Sequence, residues 1–172
     1  FGEMQMAQAS AERVFTLLDT EPEIVDTPAS LETEGDAFAP KKENWAPVQG
    51  EVVFEDVTFR YGDGPVVLKH FNLHVSPGQT IALVGQTGSG KSTIVNLLCR
   101  FYEPTSGRIL LDGVDIRAHS QAFLQSHLGY VLQAPHLFSG TIADNIRYGD
   151  PTASMERVRW AAEQVSAAPF ID

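Results

Sequence analysis

The stretch LVGQTGSGKSTIVNLL, residues 83–98, sets three glycines, one lysine and four hydroxyl side chains between two apolar runs. Glycine is costly to order and lysine is costly to bury, so such a segment needs a strong compensating partner. Gly85, Gly90, Lys91 and Ser92 fit the pattern G-x-x-x-x-G-K-[ST]. The pattern lies between TIALVG, an apolar run that reads as a strand buried on both faces, and KSTIVNLLCRF, which reads as a helix. In that context the glycines let backbone N–H groups converge on phosphate oxygens, and the positive end of the following helix adds to the attraction. The loop residues Gln86, Thr87, Gly88 and Ser89, with Thr93 behind them, complete the cradle. Lys91 is placed to reach the β- and γ-phosphates of a nucleotide, and the Ser92 hydroxyl to ligate Mg²⁺.

Residues 50–172 read as an α/β unit. EVVFEDVTFRY and FNLHV carry the β-branched and aromatic residues of strands, with Phe71, Leu73 and Val75 alternating against Asn72 and His74. SGRILLDG predicts a short strand closed by an Asp-Gly turn. SQAFLQSHLGYVLQ predicts a helix leading into a second buried strand that ends at Leu132. A helix over 141–148 should end at Gly149, and another should begin with Ser154 as N-cap and bury Val158, Ala161, Ala162 and Val165.

The front end is different in character. Residues 4–18 place Ala7, Ala11, Val14 and Leu18 at helical spacing, with Phe15 beside them, which predicts an apolar face in need of a partner. From Asp19 to Pro47 the periodicity is lost, and these 29 residues hold eight acids and four prolines. They read as an acidic linker or an extended surface strap. Residues 1–47 hold ten acids against three bases, so much of the net charge of -10 belongs there. No basic stripe tracks a nucleic-acid backbone, so nucleic acid is not expected as a partner. The single cysteine, Cys99, rules out an internal disulfide, fits a reducing compartment, and sits in an apolar helical run as a core residue. The sequence begins without methionine and stops soon after a helical pattern, and it reads as an excerpt.

With these motifs in place, the chain resembles the nucleotide-binding domain of ATP-binding cassette transporters of the exporter type. The resemblance covers nearly all of it. VTFRYG is similar to that family's adenine-stacking segment, which assigns Tyr61 to the base. YVLQAPHLFSGTIADNI is similar to its Gln-loop region in the exporter form, which assigns Gln133 to Mg²⁺ or the attacking water. A neutral amide there supplies an oxygen without adding charge beside the phosphates. The resemblance implies a P-loop NTPase fold of which this chain is an incomplete part. It divides the chain into 1–18, the cytoplasmic end of the last membrane helix; 19–49, the acidic linker; and 50–172, the first part of the nucleotide-binding domain.

The same resemblance implies a multi-pass protein of the cell membrane with this domain on the cytoplasmic face. Its partners would be membrane helices of the same chain and a second nucleotide-binding domain, and its activity ATP hydrolysis that powers export. The LSGGQ signature is not among the 172 residues. By the resemblance, the strand-end aspartate, the water-polarising glutamate and the switch histidine belong further along as well, so the fragment alone is expected not to hydrolyse ATP. Two alternatives keep the phosphate loop: a degenerate cassette of a heterodimeric exporter, and a soluble P-loop kinase or other nucleotide-dependent transferase. The transferase leaves Tyr61, LFSGTIADNI and the front helix without a role. His70 and His74 share a strand face but have no third ligand nearby, Asp112 and Asp115 read as turn formers, and Asp144, Glu156 and Glu163 as solvated helix residues.

Overall fold

The computed structural model describes residues 2–171, apart from Gln133 and Pro135. The chain divides into two compact units, Phe1–Gly129 and Tyr130–Asp172.

The first unit is built on an antiparallel sheet of β1 (Val52–Arg60), β2 (Val66–Val75), β3 (Ser106–Leu111) and β4 (Val114–Asp115), in the order β2-β1-β3-β4. β1 buries Phe54, Val57 and Phe59 on one face. Strict alternation from Phe54 would bury residues 56 and 58 instead, and a bulge makes the difference. The register steps from Phe54↔Leu73 to Val57↔Phe71, with Asp56 at φ 50° and His70 at φ 49° across the irregularity. The two side chains close it, His70 Nδ1 lying 2.8 Å from Asp56 Oδ1. His74 pairs with Glu51 in the same way at 2.8 Å, so both histidines staple the sheet edge.

Three further helices belong to this unit around the sheet: α2 (Pro28–Glu34), α3 (Lys91–Leu98) and α4 (Gln121–Ser126). α3 buries Ile94 and Leu97, and α4 buries Phe123 and Leu124, into one core with Phe54, Val57, Phe59, Ile109 and Leu111. Cys99 lies in this interior as the sequence suggests, and burial pushes its thiol pKa up. Asp112 does more than turn the chain. Its carboxylate accepts the N–H groups of Gln49, Gly50 and Glu51, which fixes where β1 begins.

The acidic segment is not a free linker. α2 starts with Thr27 as its N-cap, Pro28 fixing the first turn, and a 3-10 turn follows at Lys42–Asn44. The Trp45 indole N–H donates to the Glu34 carbonyl at 2.9 Å, and its ring meets Phe123 edge to face at 5.7 Å. Glu34 itself accepts from Ser120 N–H and contacts His119 Nδ1 at 2.7 Å. The acids that read as linker charge are in part the docking groups of a strap.

Two expected strands are absent among the described residues. Residues 80–86 and 128–132 carry no sheet pairing, and Val84 and Val131 are 93% and 95% exposed. A strand apolar on both faces needs hydrogen-bonded neighbours at both edges, and no described strand pairs with either run. The front helix forms, as α1 (Gly2–Leu18), but Val14, Phe15 and Leu18 are exposed. The side chain of Ala7 lies outside the described residues.

The second unit holds α5 (Ile142–Ile146), α6 (Met155–Gln164) and α7 (Ala168–Ile171). α5 opens on a capping box between Thr141 and Asp144, so Asp144 has a structural task and is not merely solvated. The Thr141 hydroxyl and N–H hold its carboxyl below the ordinary range. The helix closes at Ile146 and not at Gly149, which is not in the left-handed conformation a C-cap glycine adopts. Ser154 caps α6 as expected, with Val158 and Ala162 buried, whereas Val165 is exposed. A cavity of about 520 Å³ lies in this unit, lined by Leu137, Phe138, Ile142 and their neighbours. Among the described residues, no cationic side chain lines it.

Candidate phosphate and base site

The loop Gly85–Gly90 runs directly into α3, and its geometry follows from its glycines. Gly88 and Gly90 both take left-handed conformations, φ 83° and 89°. Gly90 sits at the N-cap of α3 against β2, where a Cβ would lie 3.0 Å from Leu68 Cδ2. At Gly85 a Cβ would lie 2.6 Å from Ser89 Oγ. The loop closes on itself through the Ser89 N–H, which donates to Gln86 O at 3.1 Å. Glycine is therefore required both by backbone conformation and by close approach.

Lys91 is folded back over this loop. Its ammonium donates to Gly85 O at 2.7 Å and Gln86 O at 2.8 Å. A cation held above left-handed glycines at the start of a helix suits an anion through its point charge and the helix dipole. Ser92 is exposed on the first turn, so its hydroxyl is open to a cation riding on bound phosphates. Thr93 turns inward, is 5% exposed, and shares a 3.0 Å hydrogen bond with the Tyr61 hydroxyl.

That bond joins two residues which the sequence singles out 32 positions apart. Tyr61 also meets Phe59 at 4.8 Å and Tyr102 at 4.9 Å, both edge to face. The phosphate helix and the aromatic expected to hold a base are thus in direct contact. Gln133 lies outside the described residues.

Two groups in this region carry no sequence signal of their own. Tyr102 follows α3 in RFYEP and looks like any aromatic at a helix end. Arg100 looks like a surface cation, yet it is 2% exposed. It is paired with Asp26 and Glu103 and donates to the carbonyls of Val25 and His119. Only its position directly after a helix with a buried face could have flagged it.

The glycine loop running into α3 carries the phosphate-loop pattern of nucleotide-binding proteins. The profile of the ABC transporter family matches residues 68–172, so the chain belongs to that family. It is 44% identical, over its whole length, to an uncharacterized ABC transporter ATP-binding protein, YfiC, of Bacillus subtilis, and covers 26% of that protein. It is 45% identical, again over its whole length, to a fatty acid ABC transporter ATP-binding/permease protein of Mycobacterium bovis, of which it covers 25%. Among solved structures it resembles a bacterial Atm1-family ABC exporter with ATP bound. There the TM-score is 0.80 at 36% identity, over 96% of this chain and 27% of that one. The chain is an ATP-binding module of the exporter kind, with the P-loop NTPase fold of the ABC domain. It spans about a quarter of the length of these relatives. No helix among the described residues is long and apolar enough to cross a membrane.

Proposed function

We propose that the chain binds Mg-ATP at Gly85–Thr93 and powers export across a membrane as one of two cassettes in the complete protein. Lys91 leaves the loop carbonyls to take the β- and γ-phosphates, and Tyr61 receives the adenine. Ser92 and Gln133 supply oxygens to Mg²⁺, whose charge offsets that of the phosphates. Gln133 also orients the attacking water. The membrane helices precede residue 19, with α1 as their cytoplasmic end, and a second nucleotide-binding domain closes over the nucleotide. The observation that carries this reading is the Lys91 ammonium, held 2.7 and 2.8 Å from two carbonyls of its own glycine loop. A cation parked there by weak neutral acceptors is released to any phosphate that offers charge-assisted bonds.

In the full-length protein, Lys91→Ala should weaken ATP binding by about tenfold or more, since it removes the one side-chain charge aimed at the phosphates. ATP-driven transport should be lost with it. Equal affinity of mutant and parent in an equilibrium titration would rule out the phosphate-loop assignment.

A further inference from the structure

We propose that two residues outside every motif, Tyr102 and Ile24 of the acidic strap, complete the base pocket, so that nucleotide binding and docking of the strap are coupled. The proposal rests on the reading of Tyr61 as the base platform. Beside Tyr61 lies a cavity of about 460 Å³, walled by Arg60, Tyr61, Gly62, Tyr102 and Glu103 from the core and by Glu23 and Ile24 from the strap. Its size is within the range of about 300–1,000 Å³ usual for small-molecule sites. The Tyr61 and Tyr102 rings stand at 89° to one another, so the cavity is flanked by two aromatic surfaces and not one. The Tyr61 hydroxyl ties it to Thr93, two residues beyond Lys91.

The chemistry of the walls selects the base end of a nucleotide. A purine needs apolar contact for its faces, which the tyrosines and Ile24 offer. Two carboxylates, Glu23 and Glu103, against the one guanidinium of Arg60 leave the cavity walls net negative, which disfavours phosphate there and leaves the phosphates to Lys91. Ile24 is held in place by its neighbours. The Val25 carbonyl and the Asp26 carboxylate accept from Arg100 at 3.1 and 3.0 Å, and Asp26 also accepts the Gln121 N–H. The same guanidinium pairs with Glu103 on the opposite wall. One buried cation therefore fixes both sides of the cavity. If the strap leaves, the cavity loses a wall, so a nucleotide must bind the docked state better and, reciprocally, must favour docking.

The test uses the full-length protein and two probes, ATP and inorganic tripolyphosphate, each titrated calorimetrically. Tyr102→Ala and Ile24→Ala should each raise the Kd for ATP about three- to tenfold, and leave that for tripolyphosphate within about twofold. ATP, and not tripolyphosphate, should slow cleavage after Glu23 by a glutamate-specific protease. Unchanged ATP affinity in both variants, equal losses for both probes, or equal protection by both would overturn the proposal. Tyr61→Ala separates the two levels. If it does not distinguish ATP from tripolyphosphate, the base platform itself is misassigned and this proposal falls with it. If it does and the other two variants do not, the platform stands and the strap is no part of the pocket.

Discussion

Arg100→Met keeps the aliphatic stem of a buried arginine and removes its charge, and the structure sets the scale of the loss. The guanidinium serves Asp26 Oδ1 at 3.0 Å, Glu103 Oε1 at 3.1 Å, His119 O at 2.9 Å and Val25 O at 3.1 Å. The Asp26 side chain is only 11% exposed, so the variant strands a carboxylate and two carbonyls. Removing one partner of a buried pair costs about 3–5 kcal/mol. Asp26 keeps the Gln121 N–H at 3.0 Å, and the strap can peel away and rehydrate, which places the cost at the low end, about 3 kcal/mol. The Glu34 contacts to Ser120 and His119 remain, so residues 20–27 should open while the strap stays attached further along. Hydrogen exchange followed by mass spectrometry should show the Gln121 amide and segment 20–27 exchanging about 100-fold faster, the equivalent of that energy. A double-mutant cycle with Asp26→Asn should give a coupling of at least about 1.5 kcal/mol. Exchange within threefold of the parent, or an additive cycle, would refute the claim that this pair anchors the strap.

Gly90→Ala should destabilise the protein by about 1–3 kcal/mol and weaken ATP binding with it, because it adds a methyl 3.0 Å from Leu68 to a backbone at φ 89°. Thermal unfolding and ATP titration of the same variant check both effects, and an unchanged melting temperature would contradict the assigned strain. Burial pushes the Asp115 carboxyl up, but the hydrogen bonds and charge of Arg117, 2.6 Å away, outweigh it and hold the pKa below its ordinary value. A depressed carboxyl contributes stability above its unfolded pKa and loses it as pH falls through the folded one. Asp115→Asn should therefore cost about 0.5 kcal/mol at neutral pH, discounted for a partly exposed pair, and nothing near pH 2 by urea unfolding.

Local chemistry was legible in the sequence, and pairing over distance was not. The glycine loop could be read because its requirements are local: left-handed backbone at Gly88 and Gly90, and a lysine one residue further on. Ser154 could be read as a cap for the same reason. TIALVG and LGYVLQ were read as buried strands from composition, which reports that a segment wants neighbours and not whether the chain supplies them. The break in alternation along β1 was invisible, since a bulge at Asp56 depends on His70 and Asn72 across the sheet. Within the site, Tyr61 came from a resemblance, and its bond to Thr93 only from the fold. Acidity between 19 and 47 looked like solvation because a carboxylate destined for a buried arginine has no sequence mark.

α3 gives these separate features a common axis. Lys91 begins the helix and Arg100 lies just beyond its end, so at 1.5 Å per residue the phosphate cation and the strap cation are about 13 Å apart along it. Both ends are fixed by contacts that a short flexible segment would not transmit: the glycine loop at one, four acceptors at the other. Leu97, fully buried between them, keeps the helix from sliding without repacking the core. On the proposed exchange of carbonyls for phosphate by Lys91, a shift of the loop is either absorbed within the loop or moves Arg100 and the strap as a body. The strap runs back from Asp26 to α1, so the second outcome gives the proposed nucleotide site a mechanical route toward that helix through Asp26. In the base pocket, Ile24 would feel the same displacement directly.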